Sequence, residues 1–256
     1  MTALRVFITG ASSGIGAALA QHYAAQGATL GLVARSSEKL SALVASLPNT
    51  HYTYLLDVMD AAALAMAAQD FLKHAGRPDI VIANAGISVG TLTQESTDNE
   101  AFRRVLETNV LGMVHTFQPF VQTMLDRKHG KLVGIASVAG IRGLPGAGAY
   151  SASKAAAITY LESLRVELRD TGVKVITIAP GYIATPMTAQ NDYAMPFMLP
   201  AAEAARRFAR AIEKGSSYSV IPWQMGIVAK LLRLLPNSVF DFFASRAGRK
   251  PRGLPL

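Results

Sequence analysis

Cysteine is absent from the 256 residues, which excludes disulfides, thiolate metal sites and a cysteine nucleophile. Tryptophan occurs once, and no interleaving of aromatic and basic residues offers a base-stacking surface, so no nucleic-acid partner is expected. Charged residues make up only 16% and hydrophobic residues 50%, a composition that excludes a disordered chain. The five histidines, His22, His51, His74, His115 and His129, are scattered without ligand spacing, and no metal site is expected. Residues 1–5 run straight into a strand-like segment without the apolar run or cleavage site of a signal peptide, so a cytoplasmic protein is expected. Acidic side chains are the scarcer charge, 17 against 25 Lys and Arg, for a net +8. The basic residues are spread along the chain with one cluster at the C-terminal end, which suits an anionic cofactor or an acidic lipid surface.

What is present is an alternation. The length fits one α/β domain with a substantial core. Apolar strand-like runs at 3–9, 28–33, 51–56, 79–83, 130–136, 173–179 and about 218–222 are separated by helical stretches. These include helices at 38–47 and 60–74, a long one at 98–127, and one carrying Tyr150 and Lys154 to about residue 170. The pattern predicts a Rossmann-like, doubly wound sheet of about seven mostly parallel strands with helices on both faces.

Sheets of this kind bind ligands in the loops at the carboxyl ends of their strands. The first strand is followed by Gly10-Ala11-Ser12-Ser13-Gly14-Ile15-Gly16 and then by a helix. Glycines let the backbone approach a ligand closely, and the free N–H groups of a helix start attract phosphate. The spacing is Gly-x-x-x-Gly-x-Gly, not the common Gly-x-Gly-x-x-Gly, and a purely structural turn reads the same way. After the second strand, the slot where a carboxylate would hold a ribose 2′-hydroxyl is Ala34, followed by Arg35, Ser36 and Ser37. An arginine there suits a 2′-phosphate, so NADP(H) is expected over NAD(H).

Tyr150 and Lys154 lie four apart on a helix and project from one face. A free phenol titrates near ~10, too high to trade protons efficiently at neutral pH. A neighbouring ammonium favours the phenolate, so a lowered tyrosine pKa is expected. Ser137 falls at the end of the fifth strand, where chemistry is expected. Asn109 lies in mid-helix, a poor position for asparagine, and needs hydrogen-bond partners if it is buried.

Thr9-Gly10-Ala11-Ser12-Ser13-Gly14-Ile15-Gly16, Asp57, Asn84-Ala85-Gly86, Asn109, Ser137 with Tyr150-x-x-x-Lys154, and Pro180-Gly181 followed by Thr185 occur in register. Together they resemble the short-chain dehydrogenase/reductase family in its single-domain form, over at least residues 4–222. The resemblance implies that the glycine loop holds a pyrophosphate, that Asp57 and Val58 border the adenine, and that Asn84, Ala85 and Gly86 line the adenosine side. It implies that Thr185 and the backbone near Ile183, after Pro180 and Gly181, hold the nicotinamide carboxamide. Tyr150 would be the general acid or base, Ser137 would bind the substrate oxygen, and Asn109 would hold a water in a proton relay. Lys154 would contact the nicotinamide ribose. Homodimers or homotetramers through the long helices are also implied.

In the resembled family the segment after the sixth strand covers the substrate, and a lid is expected at about 187–214, within a catalytic domain of 1–222. Met187, Met195, Phe197, Met198 and Leu199 suit an adaptable apolar pocket, and no Lys or Arg lies between Gly181 and Glu203. A small to medium, apolar carbonyl compound or secondary alcohol is therefore expected as substrate. Residues 223–256 read as an amphipathic, basic extension. Ile227, Val228, Leu231, Leu232 and Leu235 share one helical face, and Val239, Phe240, Phe242 and Phe243 follow Pro236. Charges and Pro236 interrupt it too early for a membrane span, leaving its own domain, a partner subunit or an anionic lipid surface as what it covers. The reading is an NADP(H)-dependent oxidoreductase. The alternatives are a nucleotide-binding sensor or scaffold without turnover, and a peripheral membrane protein acting through its tail.

Overall fold

Alternation along the first strand decides which layer each side chain joins. In β1 (Arg5–Thr9), Val6 and Ile8 point to one face of the sheet and Phe7 to the other, and all three are fully buried. The computed structural model describes residues 3–49, 51–246 and 248–253. β1 pairs in parallel with β2 (Thr29–Ala34) on one side and β4 (Ile80–Ala83) on the other, and β3 (Tyr52–Leu55) lies outside β2. Beyond β4 come β5 (Gly130–Ile135), β6 (Val173–Pro180) and, at the far edge, β9 (Tyr218–Ile221). The order is β3-β2-β1-β4-β5-β6-β9, and every pairing is parallel. The strand order reverses between β1 and β4, which opens a crevice at their carboxyl ends.

Helices cover both faces, as a parallel sheet requires. On one face α1 (Gly14–Ala25), α2 (Ser37–Ser46) and α7 (Ala201–Lys214) bury Leu19, Leu40 and Phe208 against Ile8 and Leu30. On the other, α3 (Ala61–His74), α5 (Gly112–Asp126) and α6 (Gly148–Glu167) bury Phe71, Phe117 and Leu161 around Phe7. Phe7 meets Phe71 edge-on at 5.5 Å and Phe120 at 4.8 Å.

Three expectations change. The single long helix at 98–127 is α4 (Asn99–Leu106) and α5 joined by a π-helical turn, Glu107–Leu111. The wider turn rotates Asn109 into the protein, where it is almost fully buried. The lid expected at 187–214 ends earlier, because α7 is part of the core: Phe208 and Ile212 are fully buried beneath it. The part of that range outside the core helix is the stretch between the short, paired strands β7 (Ile183–Ala184) and β8 (Leu199–Pro200).

The tail forms α8 (Trp223–Leu234) and α9 (Asn237–Ala244), and α8 presents a different face inward from the one read in the sequence. Met225 and Ala229 are buried, whereas Ile227 and Leu231 are exposed. Arg142 fixes the corner between the helices. Its guanidinium donates to Leu232 O, to Leu235 O at 2.7 Å and to Asn237 Oδ1 at 2.9 Å, and lies 3.9 Å from the Phe240 ring centre.

Candidate active site

The loop after β1 is wound tightly onto the end of β4. Gly10 and Gly14 have φ of +66° and +53°, which glycine adopts without strain. A Cβ on Gly16 would lie 2.1 Å from Gly10 O, so no larger residue fits there. Asn84 Nδ2 donates to Thr9 O at 3.1 Å and Gly10 O at 3.0 Å, and its backbone N–H donates to Thr9 Oγ1 at 3.3 Å. Ser13 precedes α1 without capping it through its side chain, which leaves first-turn amides of α1 available to an anion.

The other end of the cleft is built by β5 and α6. Ser137 follows β5 and accepts from Ala139 N at 3.1 Å, so its own O–H proton remains free to be donated. Tyr150 lies in the first turn of α6, and Lys154 one turn later is only 4% exposed and donates to Ile135 O at 2.8 Å. Asn109 braces the same turn. Its Nδ2 donates to Ser153 Oγ at 2.9 Å and Ile87 O at 3.0 Å, and its Oδ1 accepts from Ile87 N at 2.8 Å. Ser153 Oγ donates in turn to Tyr150 O at 2.7 Å.

The expected lowering of the tyrosine pKa is not what the geometry gives. Burial pushes the Tyr150 phenol up, and the Ser137 hydroxyl facing it pulls only partly the other way. The reason is the position of Lys154, whose Nζ is drawn to Ile135 O and sits 5.8 Å from the Tyr150 ring centre. Burial lowers Lys154 itself to about 8, so at neutral pH it is mainly charged beside a neutral phenol.

Between these ends runs a cleft of ≈ 350 Å³. Gly10, Ser12, Ser13, Gly14 and Ile15 line its floor, and Arg35, Asp57 and Val58 line the β2–β3 side. Asn84, Ala85 and Gly86 lie in the middle, and Ser137, Tyr150, Lys154, Pro180, Gly181, Ile183 and Thr185 lie at the β5–β6 side. Gly16 and Asn109 stand behind this wall and shape it. A Cβ on Gly86 would lie 3.1 Å from Asn109 Oδ1 and 3.5 Å from Lys154 Nζ, so the middle of the cleft is packed directly on the catalytic candidates.

The short chain dehydrogenase family model matches residues 5–195 of this chain. The chain belongs to the short-chain dehydrogenase/reductase family. It is 38% identical over 242 residues to an uncharacterized oxidoreductase of Myxococcus xanthus, covering 93% of this chain and 95% of that one. It is 37% identical over 183 residues to the 2-dehydro-3-deoxy-L-rhamnonate dehydrogenase (NAD(+)) of a Sphingomonas species, covering 72% and 73%. The crystal structure of a short-chain dehydrogenase from Streptomyces avermitilis is similar with a TM-score of 0.78 and 28% identity, over 90% of this chain and 92% of that one.

As a short-chain dehydrogenase/reductase, the protein is an NAD(P)-dependent oxidoreductase acting on small molecules. The cleft fits the nicotinamide dinucleotide this requires. Gly10 and Gly16 let the loop pack directly on Asn84 and Ala85 with no side chain of its own in the way, and the amides of α1 supply donors for a pyrophosphate. Arg35 Nη1 lies 3.5 Å from Asp57 Oδ2 across the mouth of the adenosine side. Lys39 also lines that mouth, a residue not singled out from the sequence; its place in the first turn of α2, four residues after Arg35, was the available signal. Thr188 was missed as well. It donates to Ile183 O at 2.6 Å and meets Thr185 Oγ1 at 3.2 Å, holding the loop where Thr185 enters the cleft. Among the described residues no group of three or more His, Asp or Glu side chains could hold a metal ion.

Proposed function

We propose that the protein is an NADP(H)-dependent reductase of a small to medium, largely apolar carbonyl compound, with Tyr150 delivering the proton. The observation that carries this is the convergence of Ser137, Tyr150 and Lys154 at one end of a cleft whose other end presents Arg35 and Lys39. The phosphate loop, Asn84, Ala85, Gly86, Thr185 and the backbone at Pro180, Gly181 and Ile183 would hold the cofactor. The bound dinucleotide supplies the hydride.

The residues of the chain do the rest. Negative charge grows on the substrate oxygen during reduction, and two donors face the site where it forms. Ser137 is oriented by Ala139 N so that its free proton meets that oxygen. Tyr150, kept protonated by burial, then transfers its proton and completes the alcohol. Lys154 keeps a positive charge beside the phenolate left behind, and its remaining N–H donors would be available to the nicotinamide ribose. Both Nδ2 protons of Asn109 are committed, so a relay water would be held by the second lone pair of Oδ1. In the reverse direction Tyr150 is the base.

Cofactor choice rests on charge at the adenosine end. Arg35 and Lys39 outnumber Asp57, and Ser36 caps α2 by accepting from Lys39 N at 3.3 Å, leaving its proton free for a phosphate oxygen. The Sphingomonas relative carries NAD(+) in its name, so the proposed preference rests on Arg35, Ser36 and Lys39 of this chain alone. The test follows NADPH and NADH absorbance over a panel of ketones and aldehydes, in the wild type and in Arg35→Asp and Lys39→Ala. NADPH binding is expected to weaken roughly 10- to 100-fold in Arg35→Asp while NADH changes little. Equal losses for both cofactors would remove the 2′-phosphate role. Tight NADPH binding without oxidation by any carbonyl would revive the sensor or scaffold alternative.

We also infer that the outer face of α8 and α9 rests on an anionic lipid surface. Trp223, Ile227, Leu231 and Leu234 form an exposed stripe along α8, and Phe242 and Phe243 are exposed on α9. Lys230 and Arg246 lie in the same stretch, where Asp241 is the single acid. No described helix is long and apolar enough to cross a membrane, which leaves the interface.

A further inference from the structure

Beyond α9 the chain turns back over the body instead of leaving it. Residues 248–252 touch three loops that follow different strands, all at the ligand-binding edge of the sheet. Gly248 lies so close to the segment between β7 and β8 that a Cβ there would be 2.3 Å from Tyr193 Cβ. Lys250 Nζ reaches Asn191 Oδ1 of the same segment at 3.3 Å. Pro251 O accepts from Gly90 N at 2.8 Å, and a Cβ on Gly90 would lie 2.2 Å from Lys250 O, so only glycine admits the strap there. Arg249 packs over Gly146 in the loop before α6. Arg252 closes the series with a forked pair to Asp98, Nε to Oδ2 at 2.7 Å and Nη2 to Oδ1 at 3.1 Å, and with Glu95 at 3.4 Å. The C-terminal basic cluster, which in the sequence suggested a lipid or cofactor partner, thus has internal partners at Lys250 and Arg252.

Tyr193 is what this strap presses on. Its ring meets Tyr182 edge-on at 6.4 Å, and Tyr182 stands between Gly181 and Ile183, both of which line the cleft at the β5–β6 side. Tyr182 and Tyr193 belong to the loops that leave β6 and β7, beside the reacting end of the cleft. The loop holding Gly90 and Asp98 leaves β4 on the opposite side, and Thr91 joins it to the start of α6 through Thr91 N to Gly146 O at 3.0 Å. The strap therefore ties the two sides of the substrate end together.

We propose that residues 248–252 latch the substrate-side wall, and that Tyr193, the side chain they back, faces the substrate and sets which carbonyl compounds fit. This rests on Ser137 and Tyr150 marking the reacting end. Tyr193 is the contact; Arg252 acts through it as a positioning residue. A two-sided latch fixed by one forked ion pair explains why Gly90 meets the strap, and why Gly248 of the strap meets Tyr193, at distances no side chain allows. A misplaced wall costs affinity and orientation for the substrate, while the dinucleotide, whose proposed anchors are the glycine loop, the adenosine side and Thr185 rather than the strap, keeps its affinity.

The experiment compares Arg252→Ala, Arg252→Lys and Tyr193→Ala with the wild type on ketones of increasing size, with NADPH affinity and thermal melting measured for each. Arg252→Ala is expected to raise KM for the carbonyl substrate roughly 3- to 10-fold with a smaller change in kcat and unchanged NADPH affinity. Arg252→Lys should recover part of that loss, because one charged bond to Asp98 survives. Tyr193→Ala should shift the ratio of kcat/KM toward larger ketones. A folded Arg252→Ala with unchanged KM, or a Tyr193→Ala with unchanged size preference, overturns the proposal. So does a loss in NADPH affinity that parallels the loss in KM. Full turnover in Tyr150→Phe would instead overturn the assignment of the reacting end, an outcome separate from these.

Discussion

Lys154 is a buried cation that makes no ion pair among the described residues, and this sets a sign for both stability and activity. Its pKa falls from the ordinary 10.5 to about 8, so the folded protein binds fewer protons than the unfolded chain between those values. Stability contributed by this group therefore rises as pH climbs through that window, and below about 8 the full penalty is present. The difference corresponds to about 3 kcal/mol, of which the bond to Ile135 O offsets about 1. Lys154→Met is expected to be more stable than the wild type by about 1–2 kcal/mol at pH 7 in urea unfolding, and inactive. A destabilised variant would make Lys154 a support for the fold. Reduction is expected to lose kcat/KM as pH rises past about 8, where Lys154 discharges while the phenol, raised by burial, stays protonated. That Tyr150, Lys154 and Ser137 would meet in one cleft was legible because the residue types themselves carry the chemistry. The direction of the tyrosine shift was not, because it depends on what covers the phenol and on the carbonyl of Ile135, which spacing along a helix does not reveal.

At the scale of elements, glycines inside strands mark where helices press closest. Gly31 sits in β2, where glycine weakens a strand. A Cβ there would lie 2.5 Å from Phe7 Cδ2 and 2.7 Å from Phe71 Cδ2, so it makes room for the aromatic cluster under α3 and α5. Gly31→Ala is expected to cost about 2 kcal/mol in urea unfolding through overpacking, with the far-UV signature intact. An unchanged midpoint would mean that the cluster yields freely. The order of strands and helices could be read from apolar alternation because a parallel sheet buries both faces. The π-helical turn at Asn109 could not. It follows from a hydrogen-bond demand made by Ile87 and Ser153, one from the loop after β4 and the other from α6. Likewise α7 looked like cover because its position after β7 matched a lid, while its buried Phe208 and Ile212 make it core.

For the whole molecule, the net charge of +8 divides between two uses. Arg35 and Lys39 stand at the cleft, while the tail sends Lys250 and Arg252 inward and leaves Lys230 and Arg246 on α8 and just after α9. The full chain is expected to float with vesicles containing phosphatidylglycerol and not with phosphatidylcholine alone, and salt should release it. Leu231→Glu with Phe243→Glu should abolish flotation and leave turnover of a small ketone intact. If the same pair of substitutions instead breaks a dimer in sedimentation, the face belongs to a second copy of the chain. The path of the tail was the least legible part of the sequence. Its helices were visible from periodicity, but the return of residues 248–252 over the substrate end depends on Gly90, Asp98 and Asn191, each far away along the chain.

The central claim is that Tyr150 moves the proton in a cleft that binds the cofactor independently of it. The most direct measurement is single-turnover NADPH oxidation by Tyr150→Phe alongside its NADPH affinity. The expected result is a rate lower by about 10²- to 10⁴-fold with cofactor affinity nearly unchanged. A variant that turns over at the rate of the wild type would contradict the claim.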